Sequence, residues 1–198
     1  GGVTGRGSQH AQNMETYFQP LPGIKIVGPA TAYDAVGLLR SAVRDGNPVL
    51  MFEHKLLYGS KGARAETGSV DASSEIPEGD WTVPIGKAVV RREGSDVTIV
   101  ATLLMMHRAL QAADLLAAEG ISAEVIDPRS LVPFDGELLK GSVAKTGRLV
   151  TVEESPKRGG LGAEIAATAA EEMIDLLLAP VRRVAAPNTP APFSPPME

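Results

Sequence analysis

Short apolar runs alternate with amphipathic ones along the second half of this chain, and Gly or Pro marks most of the changeovers. "DVTIVATLL" (96–104) reads as a strand. "HRALQAADLLAAEG" (107–120) reads as a helix, with Leu110, Ala113, Leu116 and Ala117 on an inward face and Gly120 as its stop. "SAEVIDP" (122–128) is the next strand, closed by Pro128. "PFDGELLKGSVAKTG" (133–147) is a helix, "RLVTVEE" (148–154) a strand, "GGLGAEIAATAAEEMIDLL" (159–177) an amphipathic helix and "VRRVAAP" (181–187) a last strand. Strands joined by crossover helices run parallel. Apolar runs without polar alternation fit strands buried on both faces. The pattern predicts an α/β fold of parallel, doubly wound sheets.

The first half holds one more such unit. "IKIVG" (24–28) is a strand, and Thr31 caps the helix after it, with Asp34 three residues on. Ala35, Leu38, Leu39, Ala42 and Val43 share one helical face, and Gly46 suits a left-handed helix end. "PVLMF" (48–52) is a buried strand parallel to the first. From about 59 to 84, "GSKGARAETGSVDASSEIPEGDWTVP" has the composition of a surface loop or interdomain linker. Its length marks either a functional segment or a boundary.

Composition narrows the function classes. A net charge of −5 with dispersed signs offers no basic patch for nucleic acid or a membrane surface. The absence of Cys excludes disulfides, thiolate catalysis and Cys-ligated metal. No run reaches the roughly 18 apolar residues of a transmembrane helix, and the first residues lack the pattern of a signal segment. The expectation is a soluble, cytoplasmic protein. It opens on glycines without Met and closes on "APNTPAPFSPPME", so a piece of a longer polypeptide is expected.

Open parallel sheets bind ligands beyond the carboxyl ends of their strands. That rule selects Glu53 and His54, Asp127 and Arg129, and Glu153 and Glu154. Solvated or ion-paired strand ends are the more ordinary reading of each. "GGLG" (159–162) before a helix can cradle phosphate through its N–H groups. It is not G-x-G-x-x-G, however, and a turn with close helix packing explains it better. "SAVRDGNP" (41–48) joins helix-end carbonyls to Asp45 and Asn47, an oxygen-only cluster that suits a hard cation. Asp and Asn also simply stop helices. His10, in "GRGSQHAQNMETYF" (5–18), lies on a loop between Gln9 and Gln12. An imidazole there hands protons both ways near neutrality; a polar residue in a turn is the alternative. His107 stands at a helix start.

These segments together resemble a known family. "GRGSQHAQNMETYFQPLPGIKIVGPATAYDAVGLLRSAVRDGNPVLMFEHKLLYG" is similar to the β subunit of the thiamine-diphosphate-dependent decarboxylating component of 2-oxoacid dehydrogenase complexes. So are "VPIGKAVVRREGSDVTIVA", "EGISAEVIDPRSLVPFD", "KTGRLVTVEE", "GAEIAA" and "APNTPAPFSPP". "FEHKLLYG" and "PNTPAPFSPP" look closest to the pyruvate and acetoin dehydrogenase types. The resemblance implies that residues 1–59 are the C-terminal part of a pyrimidine-binding domain. Residues 60–84 are then a linker, and 85–198 a three-layer transketolase C-terminal-like domain. It also implies that the family's N-terminal portion and a short C-terminal tail are not in this chain.

The implied reaction is oxidative decarboxylation of a 2-oxoacid, or cleavage of acetoin, on thiamine diphosphate, with transfer to lipoamide. The cofactor would be shared with an α subunit in an α2β2 heterotetramer, and that subunit would hold the diphosphate and its magnesium. A lipoyl acyltransferase core would be the further partner. Residues that contact the cofactor cannot be assigned within this chain. The family's QHSQ histidine matches His10 in "QHAQ", with Ala11 in place of Ser; the resemblance makes it a channel residue that helps proton transfer to lipoamide. The family's monovalent cation, usually potassium, matches "AVRDGN", with oxygens of Ala42, Val43, Asp45 and Asn47 as ligands. Two rivals stand beside this reading: a piece of a transketolase-like or deoxyxylulose-phosphate-synthase-like enzyme, and a non-catalytic assembly domain. The chain alone is expected to be inactive.

Overall fold

The computed structural model describes residues 7–58 and 70–197. Two one-turn helices, α1 (Gly7–His10) and α2 (Glu15–Phe18), precede a βαβ unit. That unit is β1 (Lys25–Val27), α3 (Ala32–Arg44) and β2 (Val49–Met51). Then follow β3 (Val89–Arg92), β4 (Val97–Ala101), α4 (Leu104–Ala118), β5 (Ala123–Asp127), β6 (Ser130–Val132), α5 (Gly136–Thr146), β7 (Leu149–Pro156), α6 (Leu161–Glu172) and β8 (Arg182–Ala186).

The strands form a three-stranded sheet, β2-β1-β6, and a five-stranded sheet, β3-β5-β4-β7-β8. The core pairings are parallel as expected: β1 with β2, β4 with β5 and β7, and β7 with β8. Two edge strands, β3 and β6, are antiparallel and were not anticipated. Both are short and follow irregular chain, where no crossover helix forces a parallel return. β6 leaves the turn after β5 and pairs with β1, so the two sheets are joined through the backbone.

Alternation along the five-stranded sheet feeds two apolar layers. Val100, Ile126 and Leu149 pack under α5 and α6 with Leu139, Val143, Leu161 and Ile165. Ile99, Ala101 and Val125 face α4 through Met106, Ala109 and Ala113. Within α4, Ala113 is buried and Leu110 and Leu116 pack against its cluster, but Ala117 is exposed. The helix also begins earlier than its sequence suggests: Leu104, read as the end of the strand, opens its first turn with Met105 and Met106.

Helix α3 departs furthest from the periodic reading. Thr31 does cap it, accepting from the Asp34 N–H at 3.2 Å. Leu38 is fully buried, yet Leu39 is 53% and Val43 78% exposed. The buried strip runs instead through Asp34, Gly37 and Leu38. Residues 70–84 lie along that strip. The Val83 N–H bonds to Gly37 O at 3.1 Å, Ser41 Oγ donates to Val83 O at 2.5 Å, and Trp81 stacks on Tyr33 at 4.3 Å. A Cβ at Gly37 would stand 2.5 Å from the Trp81 ring, so glycine is what lets this segment approach. The second part of the expected linker is therefore a packed strap; residues 59–69 lie outside the described residues.

Helix ends are met as expected at Gly147 (φ 67°) and Gly120 (φ 80°). Gly46 is not left-handed. Asp45 ends α3 in extended conformation, and its Oδ1 accepts from the Asn47 N–H at 2.9 Å. An Asx turn does the work assigned to glycine.

Candidate functional site

Glu53 and His54, Asp127 and Arg129, and Glu153 and Glu154 lie at or just beyond the carboxyl ends of parallel strands, whereas the helix end at 42–47 lies at the opposite edge, before β2 and beside Lys25. At its carboxyl end β7 runs past β4 and presents Glu153 and Glu154 in succession, so one points to each face.

Glu153 turns towards α6. It is 8% exposed, and its Oε1 accepts from the Gly162 N–H at 2.9 Å while Ser155 Oγ donates to Oε2. Burial pushes its pKa above the ordinary glutamate value; the bonds from Ser155, Gly162 and Leu161 pull it back, and Glu15 adds to the rise. A Cβ at Gly160 would stand 2.5 Å from Glu153 Oε2, and one at Gly162 2.7 Å from Oε1. The "GGLG" glycines therefore admit the protein's own carboxylate to the helix N-terminus. The close-packing reading holds, and the phosphate cradle does not, because that anion position is filled from within.

Glu154 turns towards β2. Its carboxylate Oε2 stands 2.7 Å from His54 Nε2, with the two side chains 9% and 5% exposed. His54 Nδ1 accepts from the Leu56 N–H at 3.1 Å and caps the one-turn 3-10 helix Lys55–Leu57. The imidazole proton is thereby placed on Nε2. The Nε2–Oε2 approach is close but not aligned as a hydrogen bond, and Glu154 Oε1 has no hydrogen-bond partner. Two strand ends a hundred residues apart thus meet as a buried histidine–carboxylate contact. On the other side of His54, Glu53, Tyr58, Thr31 and Ser73 line a cavity of about 390 Å³. Tyr58 donates its hydroxyl to Glu53, and burial, with that bond, pushes its pKa up to about 12.

Asp127 and Arg129 do not line that cavity. Asp127 and Asp34 are both fully buried and share Arg91, whose Nη2 stands 2.8 Å from Asp127 Oδ2. Arg129 Nη1 lies 3.4 Å from Asp34 Oδ1, and its other donors reach Lys87 O and Ala88 O. Burial pushes Asp127 up to about 6, against the downward pull of Arg91. This is the ordinary ion-paired strand end. It clamps α3 to β3 and β5, and nothing in a single segment announced that Asp34 would join it. His107, in the first turn of α4, brings Nε2 to 2.7 Å from Ala30 O, and burial lowers its pKa.

His10 ends α1 and is exposed. The segment is helical rather than a loop. Gly7, at φ 67°, starts that turn and sits against Phe193, 3.0 Å from where its Cβ would be. The histidine turn thus rests on the proline-rich C-terminal segment. At the other candidate, the helix end at 42–47, Asp45 Oδ2 is 2.5 Å from Lys25 Nζ, and Asn47 donates twice to Oδ1. The Lys25 bond, with help from Asn47, lowers the Asp45 pKa to about 2. Its carboxylate is engaged on both oxygens. Among the described residues no three His, Asp or Glu side chains group as metal ligands.

A model described as "Transketolase, C-terminal domain" matches residues 86–198, and one described as "Transketolase, pyrimidine binding domain" matches residues 2–61. The chain belongs to the transketolase family. This transketolase-family chain is 45% identical over 194 residues to pyruvate dehydrogenase E1 component subunit beta-2, mitochondrial, of Oryza sativa subsp. japonica, covering 98% of the chain and 50% of that protein. It is 44% identical to the acetoin:2,6-dichlorophenolindophenol oxidoreductase subunit beta of Bacillus subtilis (96% and 52% covered). It is 45% identical to the 2-oxoisovalerate dehydrogenase subunit beta of the same organism (100% and 57% covered). A solved structure titled "Split gene transketolase, inactive beta4 tetramer" superposes with a TM-score of 0.73 at 32% identity, covering 92% of this chain and 55% of that one. The transketolase-family chain spans about half the length of the curated relatives it matches. No helix among its described residues is long and apolar enough to cross a membrane.

Proposed function

We propose that this chain is part of the β subunit of a thiamine-diphosphate-dependent dehydrogenase that acts on a 2-oxoacid of the pyruvate class or on acetoin and passes the acyl group to lipoamide. The observation that carries the reading is the match, over nearly the whole chain, to relatives each named as a dehydrogenase or oxidoreductase β subunit. Thiamine diphosphate supplies the electron sink for this chemistry when bound. The described residues do not fit its diphosphate end. Glu153 fills the α6 N-terminus, and the first N–H groups of α3 are taken by Ala72 O, Ser74 Oγ and Thr31 Oγ. The reading therefore gives the diphosphate and its magnesium to an α subunit.

What this chain contributes is a wall and a proton. His10 is an exposed imidazole on a turn seated against Phe193, and in this reading it delivers a proton through a ring nitrogen as the lipoyl disulfide opens. The helix end at Ala42, Val43, Asp45 and Asn47 holds potassium through main-chain oxygens, with Asp45 kept as the partner of Lys25. Domain boundaries near 59 and 85 belong to the same proposal, as does a cytoplasmic location.

Partner surfaces support the subunit role. Leu39 and Val43 stand exposed on α3, and Val184, 56% exposed on β8, borders an apolar groove with Leu116 and Ile121. In the assembly these meet the α subunit of an α2β2 heterotetramer or a second β subunit, and the lipoyl acyltransferase core docks outside them. That a structural neighbour is titled an inactive beta4 tetramer supports the expectation that this chain has no turnover alone.

The test is reconstitution with a candidate α subunit, sized and assayed for lipoamide acylation with pyruvate, acetoin and a branched 2-oxoacid. Cofactor binding and turnover should need both chains. Tight thiamine diphosphate binding by this chain alone overturns the shared-site reading in favour of a transketolase-like enzyme. A chain that ignores the α subunit and stays monomeric points instead to an assembly domain.

A further inference from the structure

A second cavity, of about 360 Å³, opens where β4, β7 and β8 end. It occupies a defined place in the topology. The chain leaves β4 for α4 and β5 on one side, and leaves β7 for α6 and β8 on the other. β4 and β7 are neighbours whose connections diverge, so this is the switch point of the five-stranded sheet, where such sheets open a crevice. Met105 from the first turn of α4 forms one side, Glu154 and Pro156 of β7 the floor, and Pro187 and Thr189 beyond β8 the other side. Asn13, between α1 and α2, closes it.

Two acceptors of residues that line this cavity lack donors, and the nearest unpartnered donor, His54 Nε2, faces the other oxygen of Glu154. Glu154 Oε1 has no donor, and the Glu154 side chain is 9% exposed. Asn13 Oδ1 also has none; its orientation is settled by the other end of the amide, which donates to Glu15 Oε1 at 3.0 Å. Two buried acceptors without donors cost free energy until a donor arrives. The charge is one-sided as well, since Glu153 and Glu154 both border the cavity and Glu153 has its donors within the fold. Alanine and proline make up much of the remaining wall.

We infer that this crevice binds an organic cation, an ammonium or guanidinium head on a short apolar stem, with the head on Glu154 and Asn13 and the stem against the proline-rich wall. A charged head offers two or more donors and neutralises the carboxylate in one contact. A small turn of the Glu154 carboxylate about its last torsion, which is soft, aims Oε1 at the head while Oε2 stays near His54. The same chemistry comes either from a free amine or from a Lys or Arg side chain of a partner protein. The inference does not depend on the dehydrogenase reading.

The experiment is calorimetric titration of the full chain with butylammonium, butylguanidinium, the neutral isostere butylurea, and a blocked Gly-Arg-Gly peptide. Saturable binding of a cation, and none of butylurea, is expected. Glu154→Gln should weaken it by about tenfold or more, the scale of one charge-assisted hydrogen bond. Because Glu154 also meets His54, Asn13→Ala is the second variant; it leaves that contact in place and should weaken binding several-fold. Binding of the small cations assigns the site to a free amine, and binding of the peptide alone assigns it to a partner's side chain. Equal binding of butylurea, no saturation by any probe up to about 10 mM, or cation binding unchanged in both variants overturns the inference.

Discussion

Glu153 and Gly162 are nine residues apart, and the carboxylate of the first accepts the N–H of the second at 2.9 Å. The contact ties the end of β7 to the start of α6, and a side chain at position 162 would stand in its way.

Gly162→Ala should therefore destabilise the chain by about 2 kcal/mol, the cost of overpacking a filled site. That corresponds to a fall in Tm of roughly 4–8 °C for a domain of this size. Gly46→Ala is the control: its Cβ meets nothing within 4 Å and its backbone is not left-handed, so Tm should barely move. Thermal unfolding of the two variants checks both expectations.

Asp127 predicts a pH dependence. Its pKa rises from 3.8 unfolded to about 6 folded, so the native state binds the proton more tightly. Its stabilising contribution is complete below the unfolded value and is lost as pH rises through about 6. Stability of the parent relative to Asp127→Asn should fall by up to about 3 kcal/mol between the two values. Urea unfolding at several pH values measures the difference; a flat difference refutes the assignment.

His10 is tested in the proposed assembly, reconstituted with a candidate α subunit. His10→Ala should slow acyl transfer to lipoamide by about 100-fold, within the range of lost general acid–base catalysis. Thiamine diphosphate binding should be nearly unchanged. Equal lipoamide kinetics for parent and variant would remove the imidazole from the mechanism.

Lys25 and Asp45 separate two ways of holding a cation. If main-chain carbonyls at the end of α3 are the ligands, potassium should raise Tm in the parent and still do so in Asp45→Asn. Lithium, a poorer match for several carbonyls, should not. Loss of the potassium effect in Asp45→Asn would place the carboxylate among the ligands. Asp45 itself, with a pKa lowered to about 2 by Lys25, stabilises above its unfolded value, and that contribution is lost as pH falls from about 4 to 2.

Several features were legible in local sequence because local physics governs them. Thr31 caps a helix, Gly120 and Gly147 stop two, and apolar runs pair as parallel strands. The strand-end rule pointed to Glu53, His54, Glu153 and Glu154, but equally to Asp127 and Arg129, which are held in an ion-paired clamp. Helix periodicity failed on α3, where Leu39 and Val43 face outward. Periodicity reports that an apolar face exists, and cannot say whether the fold or a partner covers it.

The sequence by itself determined the parallel strands, the helices that cross between them and the family, since these follow from hydrogen-bonding geometry, burial and short motifs; the antiparallel edges β3 and β6 came only with the tertiary structure. Only the tertiary structure decided what the buried charged residues do. The neighbours Glu153 and Glu154 are chemically alike, yet one caps a helix and the other meets His54 across the chain. Strand alternation sends them to opposite faces, and the partner waiting on each face is set by segments far away in sequence. The role of a buried charge depends on that partner, and no local pattern encodes it.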